Sequence, residues 1–122
     1  MTSDISGDNN AIDGLGEPLI PLREPNPEAL RAAVEVIAPH LLPALTAHLF
    51  QAATSAQQIQ SLDPLRAFVH SWAVFVAINR RPERAARFRE LEQIVDTSAN
   101  GTLAAIEEIN AIRESAESEA GL

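Results

Sequence analysis

The stretch DPLRAFVHSWAVFVAIN, residues 63–79, decides the fold, because apolar side chains recur on most sides of the helix that its spacing predicts. Asp63 followed by Pro64 is a typical helix start, with an N-cap side chain and a proline at the first helical position. No charged residue occurs from residue 67 to residue 79, but the run is shorter than the roughly 20 apolar residues that span a membrane. We therefore expect a central helix buried in a globular core.

The apolar positions of this central helix and of its neighbours predict the core. Burial of a large side chain such as Trp72 stabilises a fold by roughly 1.5–3 kcal/mol. One stripe of the central helix is weaker and contains Ala73 and Ala77, which predicts either a solvent edge or a close crossing with another helix. The residues expected in the core are Leu45, Leu49, Leu65, Phe68, Val69, Trp72, Phe75, Val76 and Phe88.

Helical spacing also occurs on both sides of the central helix, and no strand pattern does. The short connections between the helical segments favour antiparallel or sharply angled neighbours. We expect an all-α fold, a compact bundle of about five helices around residues 63–79, with a single domain over residues 27–117. The flanking helices are predicted at about 27–38, 41–60, 82–95 and 103–117.

The two ends of the chain differ from this domain. Residues 1–26 are rich in Asp, Asn, Gly and Pro without periodicity, which predicts a disordered acidic tail. Within this tail, PLIPL at residues 18–22 favours an extended conformation that either packs loosely on the core or docks into a partner's groove. Residues 118–122 are expected to fray.

The composition limits the chemistry and the location of the protein. The chain has 122 residues and no cysteine, so it has neither a disulfide framework nor a thiolate metal site. All nine basic residues are arginine, which suggests GC-rich bacterial coding. The first ten residues have neither a basic region nor an apolar run, so we expect no secretion signal and a cytoplasmic protein.

The charge of the chain is segregated along the sequence. The net charge of −8 argues against a general affinity for nucleic acid or for an anionic membrane. Residues 80–95, however, carry five arginines against three glutamates, while both ends of the chain are acidic. The middle of the sequence is therefore a basic island.

This basic island predicts an Arg-rich edge. Arg80, Arg84 and Arg87 recur at helical spacing if the helix phase continues across the corner at residues 80–82. The edge has four interpretations: a solvated helix face, a site for an acidic protein partner, a site for phosphates, or a dock for the chain's own acidic tail. The candidate partner-binding residues are Arg66, His70, Arg80, Arg81, Arg84 and Arg87.

No arrangement of residues predicts catalysis. The three histidines, His40, His48 and His70, lack the spacing of a helical metal site, and no glycine-rich phosphate loop or nucleophile elbow occurs. Catalysis needs positioned groups with shifted pKa values, and the sequence nominates none. We expect a protein that is not an enzyme and uses no cofactor and no metal.

The predicted second helix carries an apolar seam whose residues alternate three and four positions apart. The seam either packs on the central helix within one chain or forms a homodimer through residues 42–59, although coiled coils usually need three or more heptads. Its members are Leu42, Leu45, Leu49, Ala52, Ala56 and Ile59.

Three segments in this order resemble a known family: ALRAAV at residues 29–34, SLDPLRAFVHSWAVFVAI at 61–78 and RPERAARFRELE at 81–92. The chain is similar over roughly residues 27–115 to short, functionally uncharacterised helical proteins from GC-rich bacteria, some encoded near toxin–antitoxin genes. The resemblance implies a small cytoplasmic protein that acts as an antitoxin-like or regulatory partner. It implies no catalytic residue.

Together these observations predict a non-enzymatic protein–protein interaction module that uses the Arg-rich edge. The alternatives are a nucleic-acid-associated regulator and a self-associating structural protein. A protein partner is expected, a homodimer is the second choice, and neither nucleic acid nor a membrane is an expected partner.

Overall fold

The computed structural model describes residues 17–97 and 102–122, and in these residues the chain forms five α-helices, one short 3₁₀ turn and no strand. The predicted all-α fold and the helix number are confirmed. Disorder is predicted for residues 1–26, of which residues 1–16 lie outside the described residues. The prediction is corrected for residues 17–26, where Ile20 and Leu22 pack against the core. The helices are α1 (Pro27–Ile37), α2 (Leu42–Ile59), α3 (Asp63–Asn79), α4 (Pro82–Thr97) and α5 (Thr102–Glu119), with the 3₁₀ turn at Pro39–Leu41.

Local signals explain where these helices begin and end. The side chain of Asn26 caps α1 by accepting a hydrogen bond from the Ala29 N–H at 2.8 Å. Gln60 adopts a left-handed conformation, φ 55°, which ends α2 and turns the chain towards α3. The expectation that Asp63 is an N-cap is corrected: Asp63 is the first helical residue, and its N–H donates to Ser61 Oγ at 3.1 Å.

The central position of α3 is confirmed, because it contacts each of the other four α-helices. Phe68 of α3 is fully buried and belongs to the same cluster as Leu45 of α2 and Val34 of α1. Among the residues predicted for the core, Leu45, Phe68 and Val76 are buried. The others are partly buried and pack against the two buried clusters: Leu49, Leu65, Val69, Trp72 and Phe75 against the larger, and Phe88 against the smaller.

The weak stripe of α3 is a helix crossing at its two alanines. Ala73 and Ala77 are 3% and 0% exposed, and Ala77 belongs to one cluster with Ala116 of α5, which is also fully buried. Two methyl side chains allow the axes of α3 and α5 to approach closely. The alternative of a solvent edge applies only to the N-terminal part of the stripe, where Arg66 and His70 are exposed.

The apolar seam of α2 is used inside the chain. Leu45 and Ala52 are 1% and 6% exposed and pack in the cluster that contains Phe68. His48, which lies beside this seam, accepts a hydrogen bond at Nδ1 from the indole N–H of Trp72 at 2.9 Å. The interpretation of the seam as a contact within one domain is therefore the one that the structure supports.

Both described ends of the chain pack on the bundle. Residues 17–26, called the N-terminal strap below, place Ile20 and Leu22 against the core. The expected fraying of residues 118–122 differs from the structure, in which α5 continues to Glu119 and Ala120 packs against both buried clusters. None of the described helices is both long enough and apolar enough to cross a bilayer.

Phe68 and Phe50 have opposite environments, so we expect their substitution by alanine to affect stability very differently. Phe68→Ala leaves a cavity at a site that is 0% exposed and should lower the free energy of unfolding by about 3–5 kcal/mol. Phe50→Ala, at a site that is 71% exposed, should lower it by less than about 0.5 kcal/mol. Urea unfolding at low micromolar protein concentration measures both, and equal losses would contradict the assignment of the core.

Candidate functional site

The corner between α3 and α4 gathers three guanidinium groups. Helix α3 ends at Asn79 and Pro82 starts α4, so Arg80 and Arg81 lie in the corner itself and Arg84 lies in the first turn of α4. The N–H of Arg80 still bonds the Val76 carbonyl at 2.9 Å, which fixes its position at the end of α3. We call Arg80, Arg81 and Arg84 the arginine cluster.

The arginine cluster surrounds one carboxylate, that of Glu119 at the end of α5. Arg84 binds it through two nitrogens, with Nη1 at 2.7 Å from Oε2 and Nη2 at 2.9 Å from Oε1. Arg80 Nη2 lies 3.2 Å from Oε1, and Arg81 Nε lies 3.9 Å from the same oxygen. The two parallel bonds from Arg84 are the geometry that makes arginine–carboxylate pairs strong and directional.

The cluster is buried, which corrects the expectation of an accessible edge at these three residues. Arg80, Arg81 and Arg84 are 8%, 6% and 5% exposed, although arginine is almost never this buried without a partner. The cause is the covering by the end of α5 and by the N-terminal strap, both of which lie outside the region where the sequence shows basic charge.

Arg80 also holds the N-terminal strap. Its carbonyl accepts a hydrogen bond from the Leu19 N–H at 2.6 Å, and its Nη1 donates to the Ile20 carbonyl at 3.2 Å. Arg84 Nη2 donates in addition to the carbonyl of Ala77 within α3. The same corner therefore joins the strap, α3, α4 and α5.

The electrostatics of the cluster favour an ionised Glu119. Burial raises the pKa of this carboxyl group, but the hydrogen bonds and charges of Arg84 and Arg80 outweigh burial and hold the pKa below its ordinary value. An ionised Glu119 needs nearby positive charge, because the C-terminal end of a helix repels a carboxylate and the last turn of α5 contains no basic residue. The arginine cluster supplies that positive charge from outside the helix.

Two donors in the cluster have no acceptor among the described residues. The Nε atoms of Arg80 and Arg84 are buried and make no hydrogen bond there. A buried donor without a partner costs free energy, so such groups usually mark a site with an incomplete set of partners. The cluster therefore keeps two buried donors whose hydrogen-bonding capacity the described residues do not use.

The remaining members of the Arg-rich edge, Arg66, His70 and Arg87, differ in whether they contact α5. Arg87 of α4 binds Glu108 of α5 through Nε and Nη2, both at 2.8 Å, and also pairs with Glu90. His70 Nε2 lies 3.0 Å from Glu117 Oε2, whereas Arg66 pairs with Asp63 of its own helix at 3.1 Å.

These pairs shift the titration of the groups that form them. The bond from Arg87 lowers the pKa of Glu108, and Glu108 with Glu90 raises the pKa of Arg87 above its ordinary value. Five of the six predicted residues thus face α5, and Arg66 does not.

Two carboxylates organise the edge, those of Glu108 and Glu119, and neither was among the candidate residues predicted from the sequence. Glu119 lies in the segment expected to fray, and Glu108 lies in the helix predicted at about 103–117, outside the basic island. The sequence does contain a signal for this pair. Glu108 and Glu119 are eleven positions apart, and residues at that spacing lie on one helix face about three turns from each other. In the described part of the chain, no three His, Asp or Glu side chains come together as metal ligands would.

No family model, curated protein or solved structure matches the chain. The resemblance to helical proteins from GC-rich bacteria therefore stays a prediction.

We expect the free energy of unfolding at acid pH to depend on Glu119. Because the pKa of Glu119 is lowered in the folded protein, its ionised form stabilises the fold above the ordinary value of 4.5, and this contribution is lost as pH falls through the folded pKa. Glu119→Gln should lower the free energy of unfolding at neutral pH and should flatten its decline below pH 4.5.

The exposed Glu114 of the same helix provides the matched control. Glu114→Gln removes an equal charge and should leave the wild-type pH profile unchanged. Urea unfolding at successive pH values checks both variants, and an acid decline in Glu119→Gln as steep as in the wild type would show that Glu119 has no special role.

Proposed function

We propose that the chain is a non-enzymatic protein-binding module whose Arg-rich edge accepts an acidic helix, and that α5 occupies this site within the same chain. One observation carries the proposal: three buried guanidinium groups converge on a single carboxylate of α5. The edge thus already binds a helix with carboxylates at defined positions. A partner of the same chemistry would compete with α5 for it.

The composition of α5 supports a contact that depends on charge. Residues 102–119 contain five glutamates and one arginine, and the buried side chains of this helix are the small ones of Ala105 and Ala116. Leu103, a larger apolar residue, is 71% exposed. Ile112 is a partly buried apolar contact of this helix, so both apolar packing and ion pairs with the edge attach α5.

The edge is not filled completely by α5. A groove of about 320 Å³ remains between α4 and α5, next to the pairs that Arg84 and Arg87 form. On the α5 side it is lined by Ala111, Ile112 and Ser115. A partner helix with larger apolar side chains at these positions would fill the groove and keep both bidentate contacts.

Helix α5, which occupies the edge, indicates the chemistry of the expected partner. It is a helix with two carboxylates about three turns apart, as in Glu108 and Glu119, which two arginine forks bind in bidentate fashion. Nucleic acid is a weaker candidate, because its phosphates would have to displace Glu119 and approach the other carboxylates of α5. An antitoxin-like or regulatory role and a cytoplasmic location agree with this proposal and remain predictions from the sequence.

Competition between α5 and an added copy of itself tests the proposal. The probe is a labelled peptide of residues 102–122, titrated with the full chain. In the wild type, the tethered α5 acts at a high effective concentration and should exclude the peptide. The variant Glu108→Gln/Glu119→Gln loosens its own α5 and should bind the peptide at least about tenfold more tightly at low salt, with affinity falling as NaCl rises.

A variant with the same charge but intact contacts provides the control. Glu107→Gln/Glu114→Gln changes two exposed glutamates of α5 and should bind the peptide as poorly as the wild type. If Glu108→Gln/Glu119→Gln is helical by circular dichroism and yet binds no peptide at low salt, or binds it independently of salt, the edge is not an acidic-helix site.

A further inference from the structure

The outer face of α2 has no charged residue although it lies in solvent. From Val36 to Leu62 the chain contains no Asp, Glu, Lys or Arg, whereas charged residues make up 21% of the whole sequence. At the centre of this face Phe50 is 71% exposed. Charge depletion around an exposed aromatic side chain is the composition of an interface core rather than that of a solvated helix face.

The exposed positions of this face form a near-palindrome about Phe50. Ala47 and Ala53 lie three residues on either side of Phe50, and Thr46 and Thr54 lie four residues on either side, with all four exposed. Residues three and four apart share one face of a helix. The face therefore presents Thr, Ala, Phe, Ala, Thr in the same order from either direction.

We infer that this outer face of α2 binds the same face of a second copy of the chain, antiparallel, about a twofold axis at Phe50. In such a pair, a residue n positions after Phe50 lies opposite the residue n positions before it in the partner. Ala47 then meets the partner's Ala53, and Thr46 meets the partner's Thr54. The two phenylalanine rings pack at the axis beside small alanine side chains, which leave room for them.

The net charge of the protein restricts which of its surfaces two copies can share. Two copies that each carry a net charge of −8 repel one another, so a shared surface without charged side chains is the least unfavourable one. Two copies that pair through the outer face of α2 neither bury charged side chains nor bring like charges together, because this face contains none. A twofold interface requires a self-complementary patch, and the palindrome about Phe50 supplies one. This surface is separate from the Arg-rich edge and does not depend on the function proposed for that edge.

The size of the face sets the strength of the dimer. Helix α2 has 18 residues and is therefore about 27 Å long. A single helix face buries less than the roughly 800 Å² per partner of a standard stable interface. We therefore expect a reversible dimer whose population rises with protein concentration, rather than an obligate one.

Sedimentation of the full chain from micromolar to millimolar concentration tests the dimer. The wild type should approach twice the monomer mass, and Phe50→Glu and Phe50→Arg should each dimerise at least about tenfold more weakly, because they place like charges at the axis. An equal mixture of the two variants should regain the dimer, since opposite charges then meet there. Ala44→Glu, on the flank of α2, is the matched control and should stay close to the wild type.

Cysteine pairing tests the antiparallel register without disturbing the face by charge. The chain has no cysteine of its own, so Ala47→Cys and Ala53→Cys each introduce a single thiol. Under mild oxidation, a mixture of the two should give mainly the mixed disulfide. Disulfides of each variant with itself instead would indicate parallel pairing and overturn the antiparallel register about Phe50.

Two results would overturn the inference as a whole. One is a wild-type chain that stays monomeric at millimolar concentration. The other is a dimer that forms equally well in Phe50→Glu, which would mean that copies meet through another surface.

Discussion

The bond between Glu119 and the arginine cluster is the interaction on which the outer parts of the structure depend. It places a carboxylate at the negative end of α5, where the helix dipole opposes it, and neutralises it with Arg84 and Arg80. Arg80 also holds the N-terminal strap through two backbone hydrogen bonds. Removal of one partner from such a buried pair leaves the charge of the other uncompensated, which is strongly destabilising. Because Arg80 binds both Glu119 and the N-terminal strap, the attachment of α5 and that of the strap are energetically linked.

The hydrophobic core provides the frame for this corner. The apolar circumference of α3 packs against the other helices, and its alanines allow α5 to cross closely enough for Glu119 to reach Arg84. A larger residue at Ala77 would push α5 outward and lengthen that contact. The two surfaces proposed for binding follow from the same arrangement: the Arg-rich edge is covered by α5, and the outer face of α2 is left uncovered because only the opposite face meets α3.

The fold was more predictable from the sequence than the candidate site. Helical spacing, the Asn26 cap and the prolines at helix starts are local signals, and they predicted helix bounds close to the observed ones. The six residues of the Arg-rich edge were predicted as a group, but the burial of Arg80, Arg81 and Arg84 was not. Burial at Arg84 depends on Glu119, which lies far away in the sequence, and no local pattern shows which carboxylate a guanidinium will meet. The palindrome about Phe50 was visible in the sequence, but it acquired meaning only when the structure showed which face of α2 is exposed.

Amide hydrogen exchange, compared between the wild type and Glu119→Gln, tests the claim that this carboxylate holds both α5 and the N-terminal strap. We expect exchange in the variant to become faster by the largest factor in α5 and at the Leu19 N–H, because these two regions can open locally while the core stays folded. In α2 and α3, exchange should become faster only by the factor that the lower free energy of global unfolding requires. Equal protection in the two proteins would contradict the claim. Uniformly faster exchange everywhere would also contradict it, since Glu119 would then stabilise the whole fold rather than the attachment of its outer parts.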